Sequence, residues 1–170
     1  MKCPNNKSVA KLFIDDTAGN LLDNVYRLLK THSISKKDAQ KVVKNIIKIT
    51  MKITLLIRNN QFDEKEMKMG EKFKNSFSNL VMTVISFHEV DFSYDRYFLI
   101  ESLNKNREIL KTLVARVLSD KSLNRIDNIF DTFTDAKFLD EVFKAKDEET
   151  VQLKSKIVAD IHKLMEEGHL

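Results

Sequence analysis

A chain of 170 residues, 42% hydrophobic and 32% charged, is long enough to bury its own core as a single domain without disulfides or metal. Three glycines and one proline, Pro4, leave little room for a turn-rich β architecture, and a single cysteine, Cys3, excludes an internal disulfide and fits a reducing compartment. The net charge of +4 is unevenly spread: residues 1–85 carry 16 Lys and Arg against 8 Asp and Glu, while residues 86–170 carry 13 against 17.

In chain order, the apolar residues recur at helical spacing nearly throughout. A first helix is expected from about Ser8 to Thr31, through Val9, Leu12, Phe13, Leu21, Leu22, Val25, Leu28 and Leu29, with a bend at Gly19. The stretch "SKKD" from Ser35 to Asp38 is a capping box that opens a second helix, which ends near the pair Asn59–Asn60. The stretch "DEKE" from Asp63 to Glu66 repeats that pattern and opens a third helix, running to about His88. A fourth is expected to start after Asp91 or Ser93 and reach about Leu118, followed by short helices at about Leu123–Phe133 and Ala136–Lys144. A last helix spans about Glu149–Glu167 and closes at Gly168. The fold class expected is all-α, a bundle of six or seven helices. The N-terminal "MKCPNNKSVAK" lacks the apolar core of a signal peptide, and the most apolar runs, such as Leu80–Phe87, are too short to span a bilayer. A soluble cytoplasmic protein is expected.

The second helix carries a seam of lysines, Lys37, Lys41, Lys44, Lys48 and Lys52, confined to about 80° of its circumference. Ala39, Val42, Val43, Ile46, Ile47, Ile49, Ile53, Leu56 and Ile57 cover roughly half of it, whereas an ordinary surface helix has an apolar stripe of about 100°. So wide a face fits a helix packed on two sides or one that lines an internal space; periodicity alone does not separate the two. Arg58 lies at the edge of this face in the last turn. It suits either the negative end of the helix or an anion at the mouth of an apolar space, and Lys72 and Lys74 in "EKFKN" invite the same two readings.

Enzymatic chemistry has no visible basis. There is no glycine-rich phosphate loop, paired-cysteine zinc pattern or EF-hand, and the histidines at 32, 88, 162 and 169 lack metal spacing. His88 and Glu89 read as a helix-end pair. The basic seam has no interleaved aromatics, which argues against nucleic acid. Two aromatic groups, Phe87, Phe92, Tyr94, Tyr97, Phe98 and Phe130, Phe133, Phe138, Phe143, are expected in the core.

Five segments in order, "LFIDDT" at 12–17, "KVVKNIIKITMKITLLIRNNQF" at 41–62, "MTVISFHEVDFSYDR" at 82–96, "RIDNIFDTFTDAKFLDEVF" at 125–143 and the ending "KLMEEGHL", together resemble the tumour necrosis factor alpha-induced protein 8 family, also called the TIPE family. The resemblance implies one domain over 1–170, with helices around a large central hydrophobic cavity in a mirrored death-effector-like topology. It also implies binding and transfer of phospholipids, notably phosphoinositides, at the plasma membrane, in apoptosis, inflammation and migration signalling. Bound phospholipid is then the expected ligand, with no other cofactor. The arginine of "LLIRNN" implies a head-group role for Arg58, and the basic residue after phenylalanine in "EKFKN" implies one for Lys74, as lysine in place of arginine. Lys72 and Lys7 are further head-group candidates, and Ile46, Ile49, Ile53, Leu56, Leu80 and Val84 are the expected cavity lining. Family members usually begin with an additional amphipathic basic helix. Only six residues precede Lys7 here, so that helix is expected to be absent and residues 1–6 disordered. The rival expectation is a signalling adaptor with an ordinary packed core, which would bind Rho-type small GTPases or apoptotic proteins through its surface.

Overall fold

A computed structural model describes residues 16–32 and 35–168. Over these residues the chain is all-α, with seven helices and no strand: α1 (Asp16–Thr31), α2 (Lys36–Arg58), α3 (Glu64–Glu89), α4 (Arg96–Val114), α5 (Asp120–Phe133), α6 (Ala136–Phe143) and α7 (Glu148–Glu166). The expected helical start at residues 8–15, with Val9, Leu12 and Phe13, lies outside the described residues, as do Lys7 and the expected disorder of residues 1–6. Gly19 lies within α1.

Side-chain caps set most helix starts. The Ser35 hydroxyl accepts from the Asp38 amide and donates to the Asp38 carboxylate at 2.7 Å. Asp63 and Glu66 form the full reciprocal box, each carboxylate accepting the other's amide at 2.8 Å. Asp95, Asp135 and Asp147 likewise accept from the amides of Phe98, Phe138 and Thr150, which fixes the starts of α4, α6 and α7. The ends are equally defined. Asn60 takes the left-handed conformation, φ +51°, and the Gln61 amide reaches back to the Leu56 carbonyl, a Schellman closure with asparagine in place of glycine. Gly168, at φ +77°, follows the end of α7.

In the packed bundle α1 lies along α7, α3 along α4, and α2 along α5. Two cores result. The first joins Leu28 and Leu29 of α1, Ala39 and Val42 of α2, Leu80 of α3, Leu99 of α4 and Phe138, Leu139 and Val142 of α6. The second joins Ile49 of α2 with Leu110, Leu113 and Val114 of α4 and Ile126 and Phe130 of α5. The breadth of the oily face of α2 follows from this placement, because its first half serves one core and its second half the other. Two polar pins hold α2 to α5: the Asn45 amide donates to Asn128 at 2.8 Å, and the Lys52 ammonium donates to the fully buried Ser122 hydroxyl at 2.6 Å. Lys52 is therefore not part of a solvated edge. Burial, then Arg125, Lys121 and Lys48, pull its pKa below the ordinary lysine value.

The aromatic groups divide against expectation. Phe130 and Phe138 are buried, and Tyr94 stacks on Phe143 at 4.8 Å with Phe87 edge-on to both. Phe92, however, is fully exposed, and Tyr97 and Phe98 are 75% and 51% exposed. The reason is local: the α3–α4 turn carries Phe92 at φ +61° and points it away from the bundle, and Tyr97 and Phe98 occupy the outer side of the first turn of α4.

These placements make two testable claims. Ile126→Ala, at a position with no solvent exposure, should lower unfolding stability by about 2–5 kcal/mol, whereas Phe92→Ser should change it by less than about 0.5 kcal/mol. Urea titration followed by circular dichroism measures both, and a large loss in Phe92→Ser would contradict its exposure. The second claim concerns pH. The Thr150 hydroxyl and amide hold the Asp147 carboxyl below its ordinary value of 3.8. Its stabilisation is fully present above that value and is lost as pH falls through the depressed one. Thermal melts should thus fall more steeply with acidification in the wild type than in Asp147→Ala.

Candidate functional site

An apolar pocket of about 240 Å³, partly open to solvent, lies between α1, α3, α4, α6 and α7. The spacing of residues along two long helices builds it. On α3, Phe77, Leu80, Val81, Val84 and His88 recur every three or four positions and share one face. On α7, Lys154, Ile157, Val158 and Ile161 do the same. Leu28, Leu99 and Leu103 contribute from α1 and α4, and the short α6 closes one side with Leu139, Val142 and Phe143. The surface facing the pocket is carbon throughout.

A polar knot fixes α6 in place behind this wall. Asp140 accepts from the Tyr94 hydroxyl at 3.0 Å and from the Arg96 guanidinium at 2.7 Å, with Lys144 at 3.4 Å. Burial pushes the Asp140 carboxyl up, but Tyr94 and Arg96 outweigh it and hold the group below the usual range. Burial, then the bond to Asp140, pushes the Tyr94 phenol well above its ordinary value. The phenol thus stays a donor, and its ring holds Phe143 against the pocket.

The pocket brings together only some of the expected lining residues. Leu80 and Val84 lie on its wall. Ile46, Ile49, Ile53 and Leu56 are not among its lining residues: Ile46 packs against the first core, Ile49 belongs to the second and Ile53 packs against it, and Leu56 is half-buried. The head-group candidates also stand apart from the pocket. Arg58 is the exposed last residue of α2, and Lys72 and Lys74 are exposed on α3, where Phe73 between them packs on the second core. Lys7 lies outside the described residues. His88 is not paired with Glu89, whose carboxylate instead meets His162 at 3.0 Å. His88 lines the pocket, and burial, followed by Lys154, lowers its pKa against the opposing pull of Glu89. Lys154, the other ionisable lining residue, was not singled out by the sequence. The available signal was its place in the series 154, 157, 158, 161, which puts a lysine on an otherwise apolar face of α7.

Among the described residues no cluster of His, Cys, Asp and Glu could hold a metal ion, and no helix is long and apolar enough to cross a membrane. Over the described residues the molecule is thus an all-helical bundle with a partly open, carbon-walled pocket between its helices. Over residues 2–168 the chain matches the family described as tumor necrosis factor alpha-induced protein 8-like. It is 47% identical over 164 residues to a tumor necrosis factor alpha-induced protein 8-like protein of Drosophila pseudoobscura pseudoobscura, covering 96% of this chain and 87% of that one. It is 45% identical to the protein salivary glands marred of Drosophila melanogaster, with the same coverage. To tumor necrosis factor alpha-induced protein 8 of Gallus gallus it is 40% identical over 165 residues, 97% of this chain and 87% of that one. The chain belongs to the tumor necrosis factor alpha-induced protein 8 family. None of these names states an enzymatic activity.

If the pocket is open space, added bulk should close it. Val84→Phe should abolish enhancement of the fluorescence of an apolar naphthalene dye, at a stability cost of about 1–3 kcal/mol from overpacking. Undiminished dye fluorescence in that variant would place the dye elsewhere.

Proposed function

We propose that this protein binds phospholipids, phosphoinositides in particular, and carries them between membranes without enzymatic chemistry, working in the cytoplasm and at the plasma membrane. The observation that carries this reading is the carbon-walled pocket between α3 and α7. Moving a two-chain phospholipid out of a bilayer exposes roughly 30 methylenes, at about 0.8 kcal/mol each or about 25 kcal/mol in all if left in water. Only an apolar enclosure offsets that. An apolar cavity of roughly 150 Å³ holds the six carbons of benzene, so one of about 240 Å³ holds about ten. Taking both chains therefore requires the helices around the pocket to part. The excess of basic over acidic residues in the first half of the chain supports attraction to anionic membrane, with Arg58 and Lys74 as the head-group contacts proposed from the resemblance.

A second reading, a signalling adaptor, is favoured by one specific observation. Val90, Phe92, Tyr97 and Phe98 expose apolar surface beside Glu89, Asp91 and Asp95. Exposed aromatics of this kind are enriched in protein interfaces. Rho-type small GTPases and apoptotic proteins are the partners proposed for it.

Reversing a charge beside an anionic surface costs about 2 kcal/mol, more than tenfold in partition. Arg58→Glu and Lys74→Glu should each reduce sedimentation with vesicles carrying a bisphosphorylated phosphoinositide by that amount, with helicity retained. Unchanged sedimentation of both would remove these residues from the head-group site. Native mass spectrometry of the purified protein separates the two functional readings, since a lipid adduct supports the first and a lipid-free mass the second.

A further inference from the structure

The chain has three tyrosines, and the fold treats them differently. Tyr26 packs against the first core, and Tyr94 stacks on Phe143 while its hydroxyl donates to Asp140. Tyr97 stands out in solvent. It is the second residue of α4 and borders an open polar cleft, lined also by Ser93, Asp95, Arg96, Asp140 and Lys144. The backbone holds this position lightly. The Leu99 amide reaches back to the Asp95 carbonyl at 3.1 Å, so the amides of Arg96 and Tyr97 lie ahead of the helical ladder. Freeing the chain as far as Tyr97 disturbs the cap bond between Asp95 and the Phe98 amide and leaves the helix interior intact.

The neighbouring charges are equally specific. Glu89, Asp91 and Asp95 precede Tyr97 within eight residues, and Arg96 is the single Lys or Arg of that stretch. Such a run complements the basic substrate cleft of a tyrosine kinase. The Arg96 guanidinium donates to the Tyr97 hydroxyl at 3.2 Å, lies 5.0 Å from the ring centroid, and donates through its other terminal nitrogen to Asp140 at 2.7 Å. We propose that Tyr97 is a phosphorylation site for a protein tyrosine kinase, and that Arg96 turns from Asp140 to clamp the phosphate. In the transfer the Tyr97 oxygen attacks the terminal phosphorus of a nucleoside triphosphate. The bond from that phosphorus to the leaving diphosphate breaks, and the phenolic proton passes to the catalytic aspartate of the kinase. The product carries about −1.5 to −2 charges and three strong acceptor oxygens, so it outcompetes the single Asp140 carboxylate for the guanidinium fork. Asp140 keeps Tyr94 and Lys144. The new charge also sits at the N-terminus of α4, the helix end that favours an anion. The modification requires neither a lipid in the pocket nor a partner on the aromatic surface, so it stands independently of both functional readings.

The test uses the folded full chain, magnesium and ATP, and a soluble tyrosine kinase chosen because it labels Tyr97 in the free peptide 89–101. Peptide mass spectrometry should place one phosphate on Tyr97, and Tyr97→Phe should abolish incorporation. A folded chain left unlabelled, or labelled at Tyr26 or Tyr94 instead, overturns the proposal. Phosphorus NMR then follows the titration of the phosphate, whose second pKa is ordinarily about 6. Arg96→Gln removes the clamping cation, so the phosphate of that variant should bind its proton about threefold more tightly, or more. Arg96→Met takes its place if circular dichroism shows the glutamine variant not to be helical. An unchanged titration takes Arg96 off the phosphate and overturns the proposal as well.

Discussion

The packing of α2 against two cores at once is the constraint on which the rest of the molecule depends. Ala39 and Val42 enter the core shared with α1, α3 and α6, while Ile49, two turns on, enters the core shared with α4 and α5. A helix with one partner needs an apolar stripe of about 100°, and a helix with two needs more. The half-cylinder of valines and isoleucines supplies the excess. The Asn45–Asn128 and Lys52–Ser122 bonds then set how α2 sits against α5, because a buried donor without its acceptor would cost more than the bond itself is worth. The carbon-walled pocket between α3 and α7 takes no lining residue from α2.

Much of this architecture was legible in the residues, for physical reasons that can be named. The capping box of Asp63 and Glu66, the asparagine closure of α2 and the glycine after α7 are local devices, written within a few adjacent positions. The starts of α4, α6 and α7 were less legible. Asp95, Asp135 and Asp147 each cap by accepting one amide, and a lone aspartate looks the same whether it caps or merely faces water. The site was legible only in part. Leu80 and Val84 lie on the pocket wall and the α2 isoleucines do not, because an oily helix face reads alike whether it meets a packed core or open space. Phe92 shows the same limit from the other side. Aromatic character argues for burial until a left-handed turn points the ring outward, and that turn has no glycine to announce it.

Charge is distributed in three separate ways on this molecule. Lys37, Lys41, Lys44 and Lys48 form an exposed basic edge on α2, available for long-range attraction and weakened by salt. Arg107, Lys111 and Arg116 are committed to carboxylates: Lys111 to Asp127 at 2.9 Å, Arg107 to Asp131 at 2.7 Å and Arg116 to Glu66. These pairs tie α4 to α5, and the turn after α4 to α3. Lys154 belongs to neither class. Its stem joins the apolar wall of the pocket, and Asp147 is the opposite charge that acts on its ammonium. The basic character of the sequence therefore conceals different physical roles.

The Arg116 guanidinium has a mechanical consequence as well. It grips both carboxylate oxygens of Glu66, at 2.7 and 2.6 Å, and the Gln61 carbonyl at 2.8 Å, so the beginning of α3 is clamped to the end of α4. His88, 22 residues further along, stands about 33 Å from that clamp at 1.5 Å per residue. Beyond it, a single exposed contact between Glu89 and His162 fastens this end of α3 to α7 by a polar bond. The helix is thus a beam with a firm fulcrum at one end and a light latch at the other. A tilt of about 5° about the fulcrum moves the His88 end by about 3 Å, close to the width of a hydrocarbon chain's carbon–carbon contact. Widening of this kind leaves the second core undisturbed, because the residues of α3 that touch it, Met69 and Phe73, lie beside the fulcrum.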